Sequence, residues 1–189
     1  MTSSTDAPIA WFRNTAPYIN LHRGATFVIM IPGSMQQKGL LPGLLHDVAL
    51  LSSLGVRLVL VHGSRPQADA RLAEAGHASA FHEGRRITDG TTLPLLQQVV
   101  GAQRLEIEAM LSLGLPNSPM QGAKLRVASG NFVVAQPLGV VEGVDYQWTG
   151  RVRRVDTTAI NSLLDSGSLV LLNCLGFSPT GEAFNLSLG

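Results

Sequence analysis

The sequence predicts an α/β protein in which a mainly parallel β-sheet lies between two layers of helices. Two apolar strands occur in tandem at residues 26–31 and 56–61, and each is followed by a glycine-containing turn and a helix. A long helix, hairpins, and a final helix and strand then follow. This order indicates a three-layer α/β/α sandwich whose parallel strands are joined by right-handed crossovers.

The N-terminal residues are predicted to form a leader and a helical arm. Residues 1–9 are small and polar and predict a disordered leader, whereas residues 10–23 predict helix that Pro17 should break or divide. Trp11 and Tyr18 give this arm more aromatic surface than a short leader usually carries. Two explanations stay open, namely contact with another chain of an oligomer and packing in the core.

The two strand–helix units follow directly. The first strand, 26–31, is apolar throughout, which is typical of an internal parallel strand. Apolar residues spaced three and four apart then predict an amphipathic helix over 40–54 that ends at Gly55. The second unit combines strand 56–61 with a helix over 65–75, whose first turn accommodates a proline.

The second half is predicted to contain one long helix, a run of β-structure, and a closing helix, strand and hairpin. Thr91 or Thr92 should cap the long helix, and Asp156 should cap the shorter one. The predicted elements are a polar segment at 77–89, a helix at 93–113, strands at 124–127, 132–135 and within 143–155, a helix to about 164, and strands at 168–173 and 183–186. The apolar segment 185–189 is interpreted as the point where a fold is cut part-way, with a terminal edge strand as the alternative.

Composition excludes several functional classes. The chain has 189 residues, 45% of them apolar, with 14 basic and 13 acidic side chains, so no charge excess favours nucleic acid or an anionic membrane. No signal peptide is evident, and no apolar stretch approaches the ~20 residues of a membrane span. We therefore expect a soluble cytoplasmic protein. The single cysteine, Cys174, is expected to be a buried strand residue.

Candidate binding residues follow the two strands at the carboxyl edge of the sheet, where parallel α/β folds bind anions. They are Gly33 after the first strand and His62, Gly63, Ser64 and Arg65 after the second. A histidine here either presents its imidazole to a ligand or caps the sheet edge through hydrogen bonds, and both explanations stay open. No lysine follows the first strand, so this edge is poorly equipped for phosphate.

A second candidate is the pair Arg85 and Arg86, which follows Gly84. Such a pair either grips a carboxylate in a bidentate fork or forms a solvated face. His82 and Glu83 lack further ligands at useful spacing, so no metal site is predicted. Walker A, Gly-x-Ser-x-Gly and Gly-x-Gly-x-x-Gly patterns do not occur in the sequence.

Several longer motifs carry a family resemblance. The strand–Gly turn, the run Leu-Val-Leu-Val-His-Gly and the run Gly-Arg-Arg-Ile-Thr-Asp resemble the amino-acid kinase (carbamate kinase-like) fold, above all acetylglutamate kinase. Further segments resemble the N-terminal, kinase-like domain of the bacterial N-acetylglutamate synthase family, and they lie at 11–13, 16–23, 118–123, 139–146, 149–154 and 178–185. The resemblance extends over about residues 11–187 and makes 24–189 a partial kinase-like domain.

The resemblance implies a function. Enzymes of this family acetylate L-glutamate from acetyl-CoA in the first step of arginine biosynthesis, and their C-terminal acetyltransferase domain carries the catalysis. The kinase-like domain binds the inhibitor arginine and builds a homo-oligomer through its N-terminal helix. The chain is thus expected to be a regulatory portion that is inactive alone and needs no cofactor, with acetyl-CoA as a substrate of the full-length enzyme. Two alternatives stay open: a stand-alone module working with a separate acetyltransferase, and an acetylglutamate kinase-like phosphotransferase.

The same resemblance implies roles for individual residues. The lysine that supports phosphoryl transfer in kinases of this fold corresponds here to Met30, and a glycine of its turn corresponds to Pro32. Because a thioether cannot stabilise charge on a phosphoryl group, transfer is not expected. Arg86 matches the arginine that holds the acylamino-acid carboxylate, and Asn185 matches an asparagine of the same pocket. For Asn185 a hairpin-end residue that bonds backbone is the alternative. An arginine or N-acetylglutamate-like ligand is therefore expected.

Overall fold

The computed structural model describes residues 6–113, 121–122 and 125–186. Six helices and twelve strands are formed within these residues. The helices are α1 (Asp6–His22), α2 (Ser34–Gln37), α3 (Leu41–Ser53), α4 (Arg65–Glu74), α5 (Thr92–Ser112) and α6 (Thr157–Asp165). The strands are β1 (Thr26–Ile31), β2 (Arg57–His62), β3 (Ala80–His82), β4 (Arg85–Ile87), β5 (Val127–Ala128), β6 (Val133–Pro137), β7 (Val140–Val141), β8 (Val144–Asp145), β9 (Thr149–Val155), β10 (Leu169–Leu172), β11 (Leu175–Phe177) and β12 (Ala183–Leu186).

A four-stranded parallel sheet in the order β1-β2-β10-β5 forms the centre of the fold. Successive side chains of β2 enter different cores, because neighbouring residues of a strand point to opposite faces. Leu58 and Leu60 pack under α3 and α5, whereas Val59 packs with Val170 of β10 under α6. Helices cover both faces, so β2 and β10 are apolar without alternation. The predicted three-layer α/β/α architecture is confirmed.

The register of β1 and β2 brings the ends of both strands to one edge. Ile31 pairs with His62, and the backbone N–H of Gly63 donates to the carbonyl oxygen of Ile31 at 2.9 Å. The turn after β1 and the start of α4 are therefore neighbours. This is the arrangement that the tandem strand–helix pattern predicts.

Within the described residues strand β1 lies at the edge of the sheet, whereas its apolar sequence predicts an internal position. It pairs only with β2 among the described residues, and the side chains of Val28 and Met30 are 68% and 53% exposed. An apolar run identifies a strand with two apolar faces. It does not identify the strand's neighbours, which are decided by tertiary pairing.

A second, closed four-stranded barrel in the order β11-β12-β9-β6 lies beside the central sheet and was not predicted. Strands β5 and β6, expected to be consecutive, belong to different sheets, and residue 124 of the predicted strand lies outside the described residues. Two glycines permit the tight closure. A Cβ on Gly150 would lie 2.7 Å from Phe184 Cβ, and one on Gly176 would lie 2.9 Å from Ala135 Cβ.

Helix α1 differs from the prediction at two points. It begins at Asp6, so residues 6–9 are helical where a disordered leader was expected, and residues 1–5 lie outside the described residues. It also continues through Pro17, so the predicted break is wrong. Proline removes one backbone hydrogen bond, and the remaining bonds of this 17-residue helix keep the chain helical on both sides of it.

Two aspartates cap helices, one in place of the predicted threonine and one as predicted. The carboxylate of Asp89, rather than a threonine, accepts hydrogen bonds from the backbone N–H groups of Thr91 and Thr92 at 3.0 and 2.7 Å. These bonds, led by that of Thr92, hold the pKa of Asp89 below its usual value. Asp156 caps α6 as predicted, accepting from the backbone N–H of Ala159 at 3.0 Å.

Candidate functional site

A cavity of about 700 Å³ opens at the carboxyl ends of β1 and β2. Its wall is built from the turn after β1, the start of α4, the β3–β4 hairpin and the barrel strands β9 and β12. Six of the seven residues predicted to bind a ligand line it, namely Gly33, Gly63, Ser64, Arg65, Arg86 and Asn185. The tertiary fold thus joins residues separated by up to 152 positions in the sequence, from Gly33 to Asn185.

Gly33 allows the two turns to approach each other. Its φ of −57° suits any residue, so the requirement for glycine is one of space. A Cβ here would lie 2.7 Å from Gln67 Oε1 and 3.0 Å from the carbonyl oxygen of Gly63. The Gln67 amide also donates to the carbonyl oxygen of Gly33 at 2.7 Å. The floor of the cavity is therefore closely packed and internally hydrogen-bonded.

His62 is the exception among the predicted residues. Its side chain is 1% exposed and lies against a second, very small cavity lined also by Gln36 and Gln103. Neither ring nitrogen has a hydrogen-bond partner among the described residues. Burial, assisted by the positive charge of Arg104, lowers the pKa of His62 from 6.5 to about 4. The imidazole is thus neutral at physiological pH and lies behind the cavity wall.

Arg86 is held by an ion pair that the sequence does not indicate. Its guanidinium lies 2.5 Å from the Asp69 carboxylate, donates to the hydroxyl of Ser79, and places its Cζ 4.8 Å from the centroid of the Phe81 ring. The side chain of Arg86 is 6% exposed and that of Asp69 is 46% exposed. The second arginine on this ring is Arg65, whose Cζ also lies 4.8 Å from the centroid. Asp69 and Phe81 carry no local signal that links them to the cavity.

Asn185 is oriented by two threonines rather than by backbone. Its Nδ2 donates to Thr88 Oγ1 at 3.0 Å, and Thr88 Oγ1 lies 2.9 Å from Thr149 Oγ1. Thr149 Oγ1 also donates to the carbonyl oxygen of Arg86 at 2.6 Å. A hydroxyl has one proton, so a Thr149 that donates to this carbonyl must accept from Thr88. The resulting chain of donors directs the NH₂ of Asn185 towards Thr88.

Ser64 and Cys174 form a buried pair on the cavity wall. The Ser64 hydroxyl lies 3.2 Å from Cys174 Sγ, so it does not cap α4. Burial raises the pKa of the Cys174 thiol, which therefore stays protonated. Cys174 is buried as expected, although it follows β10 rather than lying within a strand. The pair is a packing contact with no nucleophile.

The chemistry of the lining argues against phosphoryl transfer. Met30 near the end of β1 and Pro32 just after it line the cavity, and no lysine is among the described lining residues. Lys38 lies at the C-terminal end of α2, and Lys124 is outside the described residues. Within the described residues, no group of three or more His, Cys, Asp or Glu side chains is arranged to hold a metal ion. The cavity offers guanidinium, amide, hydroxyl and apolar surfaces.

The aromatic side chains of α1 lie away from the cavity. Trp11 and Tyr18 on α1, predicted to contact another chain, are each 67% exposed. Neither contributes to the cores described above, so core packing is not observed for them.

Among the described helices, none combines the length and hydropathy needed to cross a membrane.

Comparisons with known proteins agree with this architecture. The model of the amino acid kinase family matches residues 25–188. The chain is 57% identical over 179 residues to the amino-acid acetyltransferase of Pseudomonas fluorescens, which covers 95% of the chain and 41% of that relative. It therefore spans about two fifths of the relative's length.

Two solved structures of Neisseria gonorrhoeae N-acetylglutamate synthase are also similar. The complex with coenzyme A and L-arginine superposes with a TM-score of 0.86 at 39% identity, covering 95% of the chain and 42% of that protein. The complex with coenzyme A and N-acetyl-glutamate gives 0.84 at 39% identity, covering 95% and 40%. The predicted resemblance to the kinase-like domain of such synthases is confirmed.

Proposed function

The chain belongs to the amino acid kinase family, and from this premise we propose that it is the regulatory, kinase-like portion of an N-acetylglutamate synthase. The full-length enzyme would acetylate L-glutamate from acetyl-CoA in the first step of arginine biosynthesis. The 57% identity to an amino-acid acetyltransferase over 95% of the chain supports this assignment. The kinase-like match already occupies residues 25–188, so we expect the 189-residue chain to transfer no acetyl group by itself.

The observation that carries the proposal is the chemistry of the cavity after β1. By the family resemblance, Met30 stands where kinases of this fold have a lysine and Pro32 replaces a glycine of the first turn. Ser64 and Arg65 replace glycines of the second turn in the same way, and all four residues line the cavity. An uncharged thioether gives no electrostatic stabilisation to a phosphoryl group in transfer. The cavity is nevertheless large enough for an amino acid and retains side chains that recognise one. Binding without phosphoryl transfer is the function that this combination favours.

The ligand class follows from the lining and from the relatives. The Neisseria gonorrhoeae synthase was crystallised with L-arginine and with N-acetyl-glutamate, and each carries a carboxylate. We assign such an amino-acid or acylamino-acid ligand to the 700 Å³ cavity. The surrounding residues are Gly33, Gly63, Ser64, Arg65, Arg86 and Asn185, with His62 supporting the wall from behind.

Helix α1 would supply contacts between subunits. Its exposed apolar side chains, among them Trp11 and Tyr18, form more uncovered surface than single exposed residues explain. A homo-oligomer in which α1 lies against a neighbouring chain accounts for them. The family's role in amino-acid biosynthesis and the lack of a membrane-crossing helix among the described residues support a cytoplasmic location.

The test combines binding and turnover. Differential scanning fluorimetry of the purified chain should give one cooperative transition whose Tm rises with millimolar L-arginine or N-acetyl-L-glutamate. Assays with acetyl-CoA and glutamate should show no product above background. Unchanged Tm with both ligands would contradict a regulatory site, and glutamate acetylation by the chain would contradict its assignment as a non-catalytic portion. Hydrolysis of ATP with N-acetylglutamate would restore the kinase alternative.

A further inference from the structure

Two arginines share the wall of the cavity, and their surroundings differ. Arg65 at the start of α4 and Arg86 on β4 both place their Cζ atoms 4.8 Å from the Phe81 centroid. Both therefore offer a planar cation beside the cavity. The two guanidinium groups differ in whether their N–H donors already bind other side chains.

Arg86 uses both of its terminal nitrogens within the protein. One donates to Asp69 and the other donates to Ser79, and its Cζ lies over the Phe81 ring. With its side chain 6% exposed, Arg86 would have to leave or share Asp69 in order to take a ligand carboxylate. Removing one partner of a buried, hydrogen-bonded ion pair is strongly unfavourable. Arg86 thus acts as a structural cation that fastens the β3–β4 hairpin to α4.

Among the described residues, no acidic side chain forms an ion pair with Arg65. Its Cζ lies over the Phe81 ring, 4.8 Å from the centroid. A cation over an aromatic ring is held by attraction to the ring face, and this contact does not require the paired N–H donors that bind a carboxylate. Phe81 therefore positions Arg65 and leaves donors available for a bidentate carboxylate. Glu83 and Arg85, which carry opposite charges, also line the cavity.

We propose that Arg65, rather than Arg86, is the carboxylate-binding residue of the cavity, and that Phe81 orients it for this task. The inference rests on the proposed function, because it needs the cavity to take a carboxylate-bearing ligand. It goes beyond that function by assigning the carboxylate contact to a residue that stands where kinases of the fold have glycine. The two arginines then have separate roles, Arg65 in binding and Arg86 in holding the hairpin.

The experiment is isothermal titration calorimetry of the 189-residue chain with L-arginine and with N-acetyl-L-glutamate. Agmatine, which lacks the carboxylate of arginine, serves as the matched ligand control. Arg65→Gln should raise the Kd of whichever carboxylate ligand the wild type binds by about tenfold or more, the usual effect of losing hydrogen bonds to a charged group. Agmatine should bind weakly to the wild type and should be unaffected by Arg65→Gln.

Three further variants separate the roles. Arg65→Lys keeps the charge but loses the planar fork, so its Kd should lie between those of the wild type and Arg65→Gln. Arg71→Gln removes a cation from the exposed side of the same helix and should bind like the wild type. Asp69→Asn, which releases Arg86 from its carboxylate, should leave the Kd unchanged if Arg65 is the binding residue.

The outcomes distinguish the two proposals. Absence of binding by a folded wild-type chain would overturn the ligand site and this inference together. Wild-type binding with an unchanged Kd in Arg65→Gln would overturn this inference alone and leave the proposed function standing. Tighter binding in Asp69→Asn would also overturn it, because Arg86 would then be the anchor for which Asp69 competes. Circular dichroism at the titration temperature confirms that each variant is folded.

Discussion

The side-chain amide of Gln67 donates a hydrogen bond of 2.7 Å to the carbonyl oxygen of Gly33 and so joins α4 to the turn after β1. Gln67 Oε1 lies 2.7 Å from the place where a Cβ of residue 33 would be. The two turns at the cavity floor are therefore tied together through a contact that a larger residue at position 33 would crowd.

Gly33→Ala tests this packing. The added methyl would lie 2.7 Å from Gln67 Oε1 and 3.0 Å from Pro66 Cδ, so we expect a loss of about 1–3 kcal/mol in the free energy of unfolding. Urea denaturation measures it. Gly101→Ala on α5 is the control, since its Cβ meets no atom within 4 Å and helix propensity should stabilise the protein by up to ~1 kcal/mol. Equal effects of the two substitutions would contradict the close approach.

Asp69→Ala tests the ion pair of Arg86. It leaves a buried guanidinium without its counter-ion, and the half-exposed position of Asp69 moderates the cost to about 1–3 kcal/mol. Thermal unfolding should show a lower Tm. Asp165→Ala removes the carboxylate that pairs with Arg57, but this carboxylate is 69% exposed, so the change should be within about 1 kcal/mol. A larger effect at Asp165 would contradict the argument.

His62 should make stability depend on pH. Its folded pKa of about 4 lies below the unfolded value of 6.5, so the unfolded chain binds the proton first. Its contribution is complete above pH 6.5 and is lost as pH falls towards 4, by about 3 kcal/mol in total. His62→Leu should flatten this part of the profile of unfolding free energy against pH. His22→Leu, at an exposed position, should retain the slope. An unaltered slope in His62→Leu would show that His62 does not cause this pH dependence.

Thr88→Val tests the orientation of Asn185. The methyl replaces a hydroxyl that is fully buried and accepts from Asn185 Nδ2, so we expect destabilisation of about 1–3 kcal/mol together with weaker ligand binding. Calorimetry and thermal unfolding on the same sample measure both effects. Thr158→Val on the exposed surface of α6 should change neither. Ligand affinity equal to wild type in Thr88→Val would show that Asn185 is not part of the binding surface.

Trp11→Ser with Tyr18→Ser tests the subunit contact. Both side chains are 67% exposed, so the monomer should keep its Tm while the assembled mass decreases. Size-exclusion chromatography with light scattering measures the mass. Val140→Ser, at a position 68% exposed but remote in sequence, should leave the assembly intact. An oligomer of unchanged mass in the double variant would place the contact elsewhere.

Local patterns predicted most elements because they depend on nearby residues. Strand β1 over 26–31 agrees at both ends, and helices α3, α4 and α5 begin and end within one or two residues of their predicted bounds. Apolar spacing and glycine stops carry this information within a few residues. The edge position of β1 and the continuity of α1 through Pro17 were missed, because strand order and overall helix energetics are not local properties.

The sequence by itself determined the three-layer α/β fold and the sheet edge at which Gly33, Gly63, Ser64 and Arg65 meet, since apolar periodicity and turn chemistry act over short distances. The family resemblance, rather than any local pattern, implied that Met30 stands where kinases of the fold have a lysine and that Arg86 and Asn185 belong to the site. Only the tertiary structure decided that His62 is buried behind the cavity and that Arg86 pairs with Asp69, while Arg65 pairs with no carboxylate in the part of the chain that the structure describes. These features depend on burial and on contacts between elements distant in sequence, and such contacts form only when the whole chain packs.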